Sequence, residues 1–63
     1  MTTYILEYQG IKSKMYSKDS LELAMAQFKI DLVQNYSKYR NSNIEIKNED
    51  ITIDCMIGTR WGN

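Results

Sequence analysis

From Leu21 to Tyr39 the chain reads as a helix with two apolar faces, and a chain of 63 residues can hide only one of them by itself. At 100° per residue, Leu21, Ala24, Met25, Phe28, Leu32, Tyr36 and Tyr39 fall in one stripe. Leu23, Ala26, Ile30 and Val33 fall in a second, nearly opposite. Polar seams separate them, with Glu22, Lys29 and Arg40 on one side and Gln27, Asp31, Gln34 and Lys38 on the other. A helix lying on one small sheet needs a single stripe. The second stripe points to a partner.

Size sharpens that reading. A domain this small buries only about 60% of its unfolded surface. Small scaffolds compensate with disulfides, a metal or a subunit interface. Cys55 is the only cysteine and there is no histidine. An internal disulfide is therefore excluded, and a structural zinc site lacks its ligand set. No metal or other cofactor is expected. Oligomerisation or partner binding remains as the supplement.

Eight basic and eight acidic residues cancel. Residues 1–40 hold six basic and four acidic groups, and residues 41–63 hold two and four. Such a neutral chain lacks the electrostatic footprint of a typical nucleic-acid binder. No apolar run approaches the roughly 18 residues that span a bilayer. The start, Met1-Thr2-Thr3-Tyr4, has no charged region followed by an apolar one, so no signal peptide is expected. A cytoplasmic protein with a reduced thiol is the expectation.

Alternation and turn residues place the other elements. Tyr4, Leu6 and Tyr8 alternate with Ile5, Glu7 and Gln9. After Gln9-Gly10, Ile11, Ser13 and Met15 alternate with Lys12, Lys14 and Tyr16, so residues 3–17 read as a hairpin of open turn type. Asp19 is the expected N-cap of a helix over 20–38, with Glu22 three residues on. Ile44 and Ile46, then Ile51, Ile53, Cys55 and Ile57, flank the polar Asn48-Glu49-Asp50 and predict a second hairpin over 43–58. Residues 59–63 form a tail.

Hairpin, helix and hairpin make one α+β domain, a four-stranded antiparallel sheet in the order ββαββ with the helix packed on one face. Tyr4, Leu6, Tyr8, Ile51, Ile53, Cys55 and Ile57 are expected to face Leu21, Met25, Phe28 and Leu32. Glu7, Lys12, Lys14, Thr52 and Asp54 would line a wet outer face, which antiparallel sheets tolerate.

Catalytic chemistry finds little support. Histidine, the usual acid–base residue near neutral pH, is missing. Glu49 and Asp50 sit in a polar turn, and the serines have no evident base. Cys55 alternates with isoleucines and reads as a small core hydrophobe. Gly58 and Gly62 lack the Lys-Ser/Thr continuation of a phosphate loop. The chain is not expected to be an enzyme.

Binding residues are easier to nominate. Leu23, Ile30 and Val33, with Ala26 between, would form an exposed patch fit for another chain. Arg60 and Trp61 in the tail are of the residue types most enriched at binding hot spots. Lys12, Lys14, Tyr16 and Lys18 give a basic strand with an aromatic for stacking, the basis of an alternative reading as a small nucleic-acid-binding module.

The run from Tyr4 to Phe28, a strand, a Gly turn, a strand and a Ser/Asp-capped helix with Ala and Phe on its buried side, resembles the opening of small bacteriophage and mobile-element accessory proteins. The abundance of Lys, Asn, Ile and Tyr is similar to that of proteins from AT-rich phage genomes. That resemblance implies a non-enzymatic protein acting in the host cytosol on a host factor such as a nuclease, toxin, polymerase or defence effector. It carries no site residue across. The sequence therefore leads to a protein-binding module, an inhibitor or modulator of a host protein, with self-association through the helix stripe as a further use of that face.

Overall fold

The computed structural model describes residues 2–58. The central strand β1, Thr2–Tyr8, buries Tyr4, Leu6 and Tyr8 on one face, as its alternation requires. Its partner strand returns in two pieces, β2 over Ile11–Lys12 and β3 over Tyr16–Lys18. Helix α1 spans Leu21–Asn35 and a short α2 spans Ser37–Arg40. A 3₁₀ turn over Asn48–Asp50 precedes β4, Thr52–Gly58, which pairs antiparallel with β1. The result is a four-stranded antiparallel sheet with one main helix packed on it, an α+β fold. Three strands precede the helices and one follows, because β2 and β3 are two halves of one expected strand.

The turn between β1 and β2 is two residues long, since Tyr8 pairs with Ile11. Gln9 and Gly10 both have positive φ, 51° and 81°. Two left-handed residues in succession make a primed hairpin turn, whose twist matches that of the strands. The break between β2 and β3 has an equally local cause. Glu7 pairs with Lys12 and Tyr4 with Tyr16, so four residue steps on one strand oppose three on the other. One extra residue is absorbed as a bulge. Ser13 closes the gap: its N–H donates to the Leu6 carbonyl at 2.7 Å, and its Oγ accepts from the Leu6 N–H at 2.7 Å.

The bulge corrects the expected alternation. Tyr16 is carried to the helix face opposite Tyr4 and is buried, while Lys12 stays on the outer face opposite Glu7. A second irregularity lies on β4. Cys55 pairs with Ile5 but Ile53 pairs with Leu6, so Asp54 is the extra residue. Residues directly opposed in an antiparallel pair share a face. Ile53 and Met56 are therefore on the helix side, and Cys55 and Ile57, expected inside, are on the outer side. Only Ile51, just ahead of β4, enters the core as expected from that run.

The helix differs at both ends from its expected bounds. Ser20, not Asp19, caps it, its Oγ accepting from the Leu23 N–H at 3.3 Å. It does not run unbroken to residue 38, because Tyr36 is extended at φ −126° and ψ 113°. The neighbouring Asn35 and Ser37 are weak helix formers. The break re-aims the chain so that Tyr39 is buried against Tyr8, edge to face with centroids 5.8 Å apart.

The second hairpin over 43–58 does not form. Residues 43–47 belong to no strand; Ile44 is exposed and Ile46 alone is buried. This segment carries the chain from α2 back to β4, and β1 provides the partner that a second hairpin was expected to supply. The core gathers Tyr4, Leu6, Tyr8, Tyr16, Ala24, Phe28, Leu32, Tyr39, Ile46 and Ile51. Helix α1 lies over β1 and β3, placing the core under that half of the sheet and leaving β4 at the rim.

Candidate protein-binding surfaces

The outer face of α1 presents Leu23, Ile30 and Val33 at 52%, 50% and 39% exposure, with Ala26 exposed among them. The pattern follows from the register that buries Ala24, Phe28 and Leu32, since the second stripe then points away from the sheet. From Leu23 to Val33 the stripe runs about 15 Å along the axis. Glu22 and Lys29 flank it on one side, Gln27 and Gln34 on the other. Gln27 also turns inward, donating to Asp31 Oδ1 at 3.0 Å. Asp31 in turn accepts a hydrogen bond from the Tyr16 hydroxyl. Burial, with that hydrogen bond and the nearby carboxylate charge, holds the Tyr16 phenol well above its ordinary pKa.

A second exposed apolar region lies on β4. Ile53 and Met56 are open on the helix side, and Ile57 is open on the outer side beside the half-buried Cys55. Among the described residues β4 pairs only with β1, so its far edge carries unpaired backbone groups. The sequence hid this region, because an unbroken alternation across Asp54 assigns Ile53, Cys55 and Ile57 to one covered face.

The basic strand is not assembled as expected. Lys12 and Lys14 are exposed, Lys18 is half-buried and Tyr16 is buried. Lys12 Nζ lies 3.8 Å from Asp54 Oδ2 on the outer face, whereas Lys18 pairs with Thr2 on the helix face. The bulge therefore splits the lysines, and Tyr16 has no face free for stacking. A groove of about 330 Å³ opens between α1 and the returning strand, beside Ser13, Lys14, Tyr16, Asp31 and Asn35. Of its polar groups, the Tyr16 hydroxyl donates to Asp31.

Arg60 and Trp61 lie outside the described residues. Among the described residues no cluster of His, Cys, Asp and Glu has metal-ligand geometry, and no helix is long and apolar enough to cross a membrane. Comparison with protein-family models, with curated proteins and with solved structures finds no match to this chain.

Proposed function

We propose that this protein works by binding another protein through the outer face of α1, as a non-enzymatic inhibitor or modulator. The observation that carries the reading is the exposed stripe of Leu23, Ala26, Ile30 and Val33 on the only long helix among the described residues. Burying three such large side chains is worth about 1.5–3 kcal/mol each, enough to anchor a helix in an apolar groove. The absence of histidine supports a binding role over acid–base catalysis. Resemblance of the run from Tyr4 to Phe28 to phage and mobile-element accessory proteins favours a host factor in the cytosol as the partner. Arg60 and Trp61 are the residues through which the tail would add to that contact.

The test is capture of a host protein by the immobilised full chain, compared with Ile30→Asp. Capture that resists salt and is lost in the variant, with an unchanged circular dichroism spectrum, supports the reading. Equal capture by both proteins removes the stripe as the interface.

A further inference from the structure

We propose that β4 pairs with β4 of a second copy of this chain, joining two sheets edge to edge about a two-fold axis. The argument starts from the difference between the two edges. On one side, β2 and β3 offer two and three residues, broken by a bulge and carrying Lys12 and Lys18, with Lys14 between them. These are devices that discourage strand pairing. On the other side β4 offers seven residues without lysine or proline, and its one charge is Asp54. An open edge that cannot dock on the guarded one gives a closed pair and not a growing fibre.

The bulge restricts the register. In a continuous antiparallel sheet, opposed residues must share a face. Pairing centred on Cys55 would oppose Ile53 to Ile57 of the second copy, and these lie on different faces. Pairing centred on Met56 satisfies the rule, with Met56 meeting its own copy on the helix side and Cys55 meeting Ile57 on the outer side. Asp54, the bulge residue, then falls opposite Gly58, which has no side chain to set on either face, so no like charges are opposed. The net charge of zero adds no long-range repulsion between copies.

The same register covers what α1 leaves open. That helix lies mainly over β1 and β3, and Ile53 and Met56 are left exposed among the described residues of one copy. Pairing brings the two Met56 side chains together, with Ile53 of each copy diagonal to Met56 of the other. On the far face it joins the Ile5, Cys55 and Ile57 patches. The helix stripe remains free, so this contact and the one proposed for a host protein do not compete.

The experiment is light scattering on the full chain across concentration and salt, alone and with Met56→Lys, Met56→Glu and Ile30→Asp. Met56 is 59% exposed, so both charged variants keep the core. The wild type is expected at twice the 7.4 kDa chain mass. Met56→Lys and Met56→Glu should each weaken the dimer by roughly tenfold or more, and mixing them should restore it. Ile30→Asp should leave the dimer intact. Ile57→Cys under mild oxidation should give a disulfide-linked dimer through Cys55. Wild-type Cys55 should not, because the two copies lie on a diagonal about 7–8 Å apart. A monomer at all concentrations, a dimer indifferent to Met56→Lys, or a dimer broken by Ile30→Asp would each overturn the proposal. The first two leave the helix-stripe reading standing, and the third reassigns the stripe to self-association.

Discussion

The Tyr39 hydroxyl donates to Gln9 Oε1 at 3.0 Å, tying the last helical turn to the tip of the first hairpin across thirty positions of sequence. The same ring packs on Tyr8, so one side chain supplies both apolar cover and a polar tie. Gln9 holds a left-handed backbone that glutamine seldom adopts, and the Tyr39 bond is the contact its side chain gains there. Tyr39→Phe keeps the packing and should cost about 0.5–1 kcal/mol, since exposed Gln9 can turn to water. Tyr39→Ala should cost about 3–5 kcal/mol. Urea titration of the two variants separates the tie from the packing.

Ser13 should be far less tolerant than a half-buried loop serine usually is. It alone satisfies both main-chain groups of fully buried Leu6 on that edge of β1. Ser13→Ala leaves the Leu6 N–H without its acceptor, at an expected cost of about 1–3 kcal/mol. The midpoint of thermal unfolding should fall by about 4–8 °C for each kcal/mol lost in a domain of this size. Ser13→Thr, which keeps the acceptor, should recover most of the loss.

Gly10 and Gly58 form a matched pair for backbone strain. A Cβ on either meets nothing within 4 Å, so crowding does not distinguish them. Gly10 has φ +81° and Gly58 is not in the left-handed region. Gly10→Ala should therefore destabilise by about 1–2 kcal/mol, whereas Gly58→Ala should be close to neutral. Equal effects in denaturant titration would show that the hairpin turn does not keep its left-handed form.

Stability should decline in alkali because of Tyr16. Its folded-state pKa is raised above the ordinary value of 10.0, chiefly by burial and then by the Asp31 hydrogen bond and charge. Above pH 10 the unfolded chain releases the phenolic proton while the folded chain keeps it. The unfolded state then binds fewer protons, and stability falls as pH rises. Below pH 10 this contribution is fully present. Tyr16→Phe should show a shallower decline between pH 10 and 12 in thermal unfolding, and an unchanged slope would mean the phenol is not sequestered.

Ile30→Asp should leave the fold nearly as stable as before, within about 0.5 kcal/mol, because Ile30 is half exposed and outside the core. A loss of several kcal/mol in the dilute protein would mean that something within the chain covers the stripe.

Alternation was a reliable guide wherever the chain stayed regular. Tyr4, Leu6 and Tyr8, and Ala24, Phe28 and Leu32, lie where their spacing puts them, and those two sets fix the α+β sandwich. The misreadings begin at single inserted residues. A bulge leaves no mark in a polar–apolar pattern, so the phase beyond Ser13 and beyond Asp54 was read one step out. Tyr16 was thereby placed outside, and Cys55 and Ile57 inside. The expected strand over 44–46 failed for a different reason. Two β-branched residues state a local preference, and β1 had a free edge for a strand of longer run. The exposed helix stripe was legible because α1 runs unbroken from Leu21 to Asn35, so its phase does not slip. The open edge of β4 was not, since an edge is a property of topology and not of any one residue.

Asp54 is a residue that β4 could lose without losing its phase. Because it is the extra residue, its removal would leave Ile53 opposite Leu6 and Cys55 opposite Ile5 in an unbroken ladder, with Cys55 and Ile57 still outward and Met56 still on the helix side. One codon lost there regularises the strand and leaves the inner and outer inventories of both halves as they are. A lineage of such chains could therefore gain or lose the kink at this position in one step while every other side chain of the strand keeps its face.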